Sequence, residues 1–214
     1  MNTLRVDHVG SLLRPESLKQ AFRDHALATL SANALRAAQD GAIRTVVARQ
    51  EALGLPVVTD GEYRRPNWQV SFSDVAGWDL WSGSWKKLLR NPGDKAAHEA
   101  PLRKGDDAVL SFRVPATARL KLIRNFPLDE FVFLKGAAKA ATKITLMGPD
   151  RVAQMCDIEG SRAHYAGADE FLAEVAAIQR RMVGELVDAG CGYVQIDEPS
   201  YTGYVDPATL ERMH

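Results

Sequence analysis

The stretch "GYVQIDEP", residues 192–199, decides the fold and supplies the first candidate site. Its apolar residues favour a buried strand, and Pro199 ends that strand because proline has no N–H to donate to a sheet. Two carboxylates, Asp197 and Glu198, therefore stand at the carboxyl end of the strand. Successive side chains of a strand point to opposite faces. We therefore expect one of the two to face a site while the other anchors a loop.

The same pattern, a short apolar strand with a polar tip, occurs four times along the chain. Strands are predicted near residues 5–9, 56–60, 143–147 and 193–197, and between them lie helices at 31–53 and 168–189 and a segment at 126–141 that is helical at its start. Gly54 and Gly190 follow two of these helices in the manner of C-terminal caps. Strands and helices that alternate through short connections are typical of βαβ units and a parallel sheet.

Residues 66–120 interrupt this alternation. They hold all four tryptophans, and the run "AVLSFRV" at residues 108–114 alternates apolar and polar side chains. Strict alternation is typical of an antiparallel strand with one solvated face rather than of a buried parallel strand. We interpret the region as an insertion with an antiparallel excursion, inside a single domain of residues 1–214.

The four strand tips, "HVGS", "TDGE", "LMGP" and "IDEP", are expected to converge, because ligands gather at the carboxyl ends of parallel strands. In the first tip, the amides of Gly10 and Ser11 could hold a carboxylate or a phosphate. A plain turn explains that segment equally well. In the second tip, Asp60 and Glu62 could bind an ammonium group or act as a general base. Helix capping and salt bridges are the alternative reading of those two acids.

Composition narrows the class of protein. Lysine plus arginine and aspartate plus glutamate both number 27 in 214 residues. This zero net charge argues against nucleic acid as a partner, and no apolar run is long enough to enter a membrane. The first residues have no secretory signal, and two cysteines are too few for a disulfide framework. These features predict a cytoplasmic protein.

Taken in order, "HVGSLLRP", "VVTDGEYRR", "KITLMGP" and "YVQIDEP" resemble the cobalamin-independent methionine synthase family, in particular the stand-alone relatives of its catalytic barrel. Relatives of the epoxyalkane:coenzyme M transferase type share the same tips. The resemblance implies an α/β fold of the (β/α)8 TIM-barrel class. It also implies transfer of a methyl group from a methylated folate to a thiol such as homocysteine, which zinc holds as the thiolate, as in methionine biosynthesis.

The resemblance also implies roles for individual residues. The segment Val9–Gly10–Ser11 matches the family's segment that holds the amino-acid substrate, and Glu62 matches an acid that binds the same substrate. Asp197 matches the aspartate that takes the substrate's ammonium group. His8, Asp60 and Glu198 stand beside these positions as further candidates.

The chain departs from the family in its metal site. The family's zinc ligands, a His-x-Cys pair, a glutamate and a second cysteine, lie on strands beyond "IDEP", as does its proton-donating histidine. No spacing rule assembles a zinc site from the histidines and cysteines of this sequence. We therefore expect the chain to form about the first four βα units of a barrel. Another polypeptide would then supply the zinc ligands and the second half, or the chain would form a homo-oligomer. The alternative is a half-barrel that binds a small molecule without catalysis.

Overall fold

A computed structural model of the chain describes residues 8–66, 68–72, 74–79 and 113–213. The helices are α1 (Glu16–Ala26), α2 (Ala32–Ala52), α3 (Phe126–Ala137), α4 (Pro149–Ala153), α5 (Ala168–Asp188) and α6 (Pro207–Met213). The strands are β1 (Val57–Val58), β2 (Val75–Ala76), β3 (Lys121–Leu122), β4 (Ala141–Thr142), β5 (Ile144–Met147) and β6 (Val194–Asp197). Two 3-10 helices span Trp68–Phe72 and Pro199–Val205.

The parallel strands lie side by side in chain order. β1 pairs with β4, with Val57 opposite Ala141, and β5 pairs with β6, with Ile144 opposite Val194. Because β4 and β5 follow each other directly, residues 141–147 join the two pairs, and the Lys143 amide donates to the Val58 carbonyl at 3.0 Å. Helix α3 connects β1 to β4 and helix α5 connects β5 to β6, as in the βαβ units predicted from the sequence.

The two long helices begin and end where the sequence predicts. Helix α2 starts after Ser31, whose hydroxyl oxygen accepts the Ala34 N–H at 3.2 Å. Gly54 follows it with a φ of 75° and Gly190 follows α5 with a φ of 90°, left-handed conformations that glycine adopts without a steric penalty. Phe171, Val175, Met182 and Leu186 form the buried stripe of α5.

Two predicted strands, near residues 5–9 and at 108–114, lie mostly outside the described ranges. The strand expected near residues 5–9 falls mostly on residues that lie outside the described ranges, and residues 8 and 9 are not in a strand. The alternating run at 108–114 also lies mostly outside them. Strand β2 lies within the predicted insertion and pairs antiparallel with β3, which begins directly after the insertion, with Val75 opposite Leu122. The full extent of the insertion stays a prediction.

The core fills the space between the parallel strands and their helices. Fully or almost fully buried side chains come from α2, α3, α5 and the strands; they include Ile43, Val47, Val58, Phe131, Leu134, Ile144, Leu146, Val175, Met182 and Leu186. Across the described ranges, no helix has the length and apolar character needed to cross a membrane. The strand tips lie at one edge of this core, where they can form a site.

Candidate functional site

A cavity of about 780 Å³ lies at the carboxyl ends of β5 and β6. Its lining comes from all four strand tips and from α4: Val9, Glu62, Arg65, Met147, Arg151, Gln154, Gln195, Ile196, Asp197, Glu198, Pro199 and Ser200. Four of the predicted site residues, Val9, Glu62, Asp197 and Glu198, therefore share one cavity. Three of the four are carboxylates, and because the lining also includes Arg65 and Arg151, the cavity presents groups of both charges.

Glu62 reaches the cavity from the tip of β1. Its backbone has a φ of 59°, a left-handed conformation that is uncommon for residues other than glycine. Its carboxylate oxygen Oε1 accepts the Thr145 hydroxyl at 2.7 Å and lies 3.5 Å from Nη1 of Arg65. Strand β5 and the β1 tip thus hold this carboxylate in place although it is almost fully buried.

Arg65 supplies a positive charge to the wall of the cavity. It is buried and makes a two-pronged bond to the fully buried Glu130 of α3, with Nε to Oε1 at 3.0 Å and Nη2 to Oε2 at 2.6 Å. Arg65 also donates to the Thr145 carbonyl at 2.8 Å. Burial raises the pKa of Glu130 to about 7, because desolvation disfavours the carboxylate and Arg65 only partly offsets it.

Asp60 lies behind the cavity and is absent from its lining. Its Oδ1 accepts the Glu62 N–H at 2.9 Å, which makes it a turn-forming residue. Its Oδ2 is buried with no hydrogen-bond partner among the described residues, and burial raises the pKa of the carboxyl. Asp60 therefore shapes the loop that presents Glu62.

The segment 8–11 lies against the tips of β1 and β5. Gly10 has a φ of 135°, and a Cβ there would clash with the Thr145 methyl group. Its carbonyl accepts the Thr59 hydroxyl at 2.8 Å, so the backbone packs too closely for any other residue. Val9 reaches the cavity, whereas His8 bonds to the Val57 carbonyl at 3.3 Å and Ser11 is exposed outside the lining.

The two adjacent carboxylates at the end of β6 do different things, as strand alternation predicts. Asp197 Oδ1 accepts the Gln195 side-chain amide at 2.6 Å. Burial raises the pKa of Asp197, and the bond from Gln195 opposes that rise. Glu198 turns to α4, where its Oε2 accepts the amides of Asp150 at 3.1 Å and Arg151 at 3.2 Å. Glu198 thus anchors the start of a helix, although it also borders the cavity.

Sequence reasoning missed the residues that support these acids. Gln195 and Lys143 lie inside predicted strands and look like interruptions of an apolar pattern. A polar side chain within a buried strand is a signal, because it must find a partner. Arg65 comes three residues after Glu62 of the "DGE" motif, but nothing in the spacing points to Glu130.

The described residues do not form a metal site by themselves. In residues 8–66, 68–72, 74–79 and 113–213, no three histidine, cysteine, aspartate or glutamate side chains are grouped so that they could hold a metal ion. Cys191 lies before β6, at the opposite end from the cavity, and Cys156 contacts Ser161 at 3.4 Å. The donor set within reach of the cavity consists of carboxylates, which does not fit the sulfur- and nitrogen-rich zinc site of the resemblance.

No protein-family model matches the chain, but individual proteins do. The uncharacterized protein YxjH of Bacillus subtilis is 28% identical over 200 residues, 92% of this chain and 48% of that protein. The methionine synthase of Sulfurisphaera tokodaii is 28% identical over 195 residues, 90% of this chain and 51% of that protein. The chain thus spans about half the length of the curated relatives it matches.

A solved structure extends the similarity to the fold. It is the protein of Listeria monocytogenes described as a vitamin-B12-independent methionine synthase, with a TM-score of 0.70 and 26% identity. The match covers 96% of this chain and 56% of that protein. This chain is therefore similar in sequence to proteins named methionine synthase, and similar in its α/β fold to a protein described as the vitamin-B12-independent type.

Proposed function

We propose that this chain provides the amino-acid-binding part of a methyltransferase site, in which a thiol such as homocysteine receives a methyl group from a methylated folate. The observation that carries the proposal is the meeting of Glu62 and Asp197 in one cavity, within a fold similar to methionine synthases. An amino-acid thiol carries an ammonium group, and carboxylates in a partly desolvated cavity attract such a group strongly.

The chain's own residues would bind and orient the substrate. Asp197 and Glu62 would receive the ammonium group, while Arg65 and Thr145 keep Glu62 in place. Val9 and Ile196 give the cavity apolar walls for the substrate's methylene groups. Activation of the thiol and delivery of the methyl group would require the metal ligands and donor site of a complementary half, so the reaction itself is assigned to an assembly.

The test is a binding measurement with a matched ligand pair. We expect isothermal titration calorimetry to detect L-homocysteine, and to find 4-mercaptobutanoate, which lacks only the ammonium group, at least tenfold weaker. Asp197→Asn should weaken L-homocysteine about 10- to 100-fold, because a hydrogen bond to a charged group contributes about 1.5–3 kcal/mol. The same substitution should leave 4-mercaptobutanoate nearly unchanged.

Asp188→Asn is the control, since Asp188 is exposed at the end of α5, away from the cavity. It should bind both ligands as the unaltered chain does. Equal affinity of the unaltered chain for the two ligands, or an Asp197→Asn variant that binds L-homocysteine normally, would contradict the proposal.

A second candidate, a protein that binds a small molecule without catalysis, is favoured by one observation. The residues of the described ranges bring the proposed substrate acids together, but no three of their His, Cys, Asp or Glu side chains are grouped so that they could hold a metal ion. The two candidates differ in a single measurement: methyl transfer to L-homocysteine when zinc, a methylated folate and the C-terminal half of a homologous barrel are supplied together. Transfer would exclude the non-catalytic candidate.

A further inference from the structure

Lys143 occupies the point where the stretch 141–147 passes from its pairing with β1 to its pairing with β6. Its side chain is fully buried. Burial of a lysine is costly unless its ammonium group finds hydrogen-bond acceptors. The position of this residue in the middle of the parallel strands therefore requires partners inside the protein.

Those partners connect two strand tips that are distant in sequence. The Lys143 ammonium nitrogen Nζ donates to the His8 carbonyl and, at 2.9 Å, to the side-chain oxygen Oε1 of Gln195. It also lies 5.2 Å from the centre of the Tyr193 ring, within the range of a cation–π contact. The lysine thus ties the first tip of the chain to β6.

Gln195 continues this connection to the cavity. Its Nε2 donates to the Val9 carbonyl at 2.7 Å and to Asp197 Oδ1 at 2.6 Å. All three contacts of this amide are polar groups of fixed type, since an ammonium group only donates and carbonyl and carboxylate oxygens only accept. In the flipped orientation, NH2 would face the ammonium group and oxygen would face two oxygens. Lys143 therefore determines which way the Gln195 amide points.

We propose that Lys143 and Gln195 are positioning residues, which orient the Asp197 carboxylate and hold it in register with the Val9 backbone across the cavity. The inference rests on the proposed function for the role of Asp197. In this arrangement, Lys143 determines the orientation of the Gln195 amide. That amide in turn orients Asp197, the acid that receives the substrate's ammonium group.

The same contacts influence the protonation of Asp197. Burial raises the pKa of this carboxyl, and the nearby Glu62 carboxylate raises it further. The Gln195 bond and the charges of Arg65 and Lys143 act in the opposite direction. Loss of either positioning residue should therefore raise the pKa of Asp197 and move ligand binding to higher pH.

The first experiment needs no ligand. The pKa of Asp197 is measured by carbon-13 NMR titration of the aspartate carboxyl groups in the free protein, with the signal assigned by its absence in Asp197→Asn. Both Gln195→Leu and Lys143→Met should raise this pKa. Gln179→Leu is the matched control, because Gln179 is also buried and donates to a strand carbonyl, that of Met147, without contacting Asp197.

The second experiment measures affinity for L-homocysteine by calorimetry over a series of pH values. Gln195→Leu and Lys143→Met should each weaken binding about tenfold, the effect of one lost hydrogen bond to a charged group. The double variant should be little weaker than Gln195→Leu alone, because effects within one network do not add. Lys135→Met, which removes an exposed lysine bonded to the Ala189 carbonyl, should bind normally.

The outcomes separate the inference from the proposed function. If the unaltered chain does not bind L-homocysteine, the proposed function fails, and the NMR titration alone decides the positioning role. An Asp197 pKa that stays unchanged in both variants would overturn that role. Should Gln195→Leu fail to fold, Gln195→Asn is read in the same way, since its amide is one methylene too short to reach both Val9 and Asp197.

Discussion

Glu130 is the residue whose burial has the clearest consequence for stability. The pKa of its carboxyl is about 7, against an ordinary value of 4.5, so the folded protein holds this proton more tightly than the unfolded chain. The stabilisation by the proton is complete below about pH 4.5 and is lost as the pH rises through about 7. We expect Glu130 to make the free energy of unfolding fall over this range.

Glu130→Gln should flatten that fall. The measurement is urea denaturation, followed by circular dichroism at several pH values between 4 and 8, with the slopes rather than the absolute stabilities compared. Burial also raises the pKa of Asp60. Asp60 therefore accounts for any dependence of stability on pH that remains in Glu130→Gln. Glu211→Gln, the same change at an exposed residue of α6, is the control. Identical slopes for Glu130→Gln and the unaltered chain would refute the role of Glu130.

For single residues, the sequence predicts the acids at the strand tips better than the side chains that bond to those acids. Glu62 and Asp197 are identifiable because each follows an apolar strand at its carboxyl end. Arg65 and Glu130 are separated by 65 positions, and their pairing depends on how α3 packs against the β1 tip. Periodicity carries no information on such a contact, and the same limitation hides the link from Lys143 to His8.

The start of helix α4 is held by a carboxylate from the end of β6, that of Glu198. Glu198 accepts two amides of its first turn, and it also accepts the Ser200 hydroxyl. A carboxylate at a helix start also interacts favourably with the helix dipole. Glu198→Gln keeps an oxygen acceptor but removes the charge, so it should lower the free energy of unfolding by about 0.3–1 kcal/mol, the usual contribution of a charge near a helix end.

The neighbouring Asp197→Asn gives the matched comparison, measured by the same urea denaturation. Burial disfavours the Asp197 charge, so neutralising it should cost little or no stability. The two adjacent substitutions should thus separate, one affecting stability and the other ligand binding. A loss of stability in Asp197→Asn as large as that in Glu198→Gln would contradict this division of roles.

The first and last residues of helices with a long apolar stripe are predicted closely from the sequence. Helices α2 and α5 begin and end within one residue of the expected bounds, because caps and glycines mark their ends. The strands are shorter than predicted near residues 56–60, where only Val57 and Val58 pair. Pairing depends on the partner strand, which a local pattern does not contain.

On the scale of the whole molecule, β6 lies at one edge of the described parallel strands and β1 lies at the other. Ile196 is 46% exposed and Tyr193 is 40% exposed, and in the described ranges β6 pairs with β5 alone. A strand with an open edge has unpaired N–H and C=O groups, which can bond to a strand of another chain. We expect the chain to associate, and light scattering after size-exclusion chromatography should give a mass above the 23.5 kDa of one chain.

Ile196→Lys should shift the population towards the single chain, since a charge on an edge strand opposes pairing. Ile123→Lys, at an exposed residue beside β3, should leave the mass unchanged. A single 23.5 kDa species for the unaltered chain at all concentrations would count against association. The order of the four tips predicts the general α/β arrangement, but no pattern in the sequence identifies a partner for the edge of β6.

The left-handed backbone of Glu62 has a consequence for protein engineering. A residue with a Cβ in this conformation costs about 1–2 kcal/mol relative to a relaxed backbone, a cost that glycine avoids. Glu62→Gly would remove this backbone cost, but it would also remove the carboxylate that Thr145 and Arg65 hold in the cavity and leave the buried Arg65 with one counter-charge fewer. Libraries designed for heat resistance should therefore keep position 62 fixed, because a general rule that replaces residues of left-handed backbone by glycine would delete a side chain of the cavity.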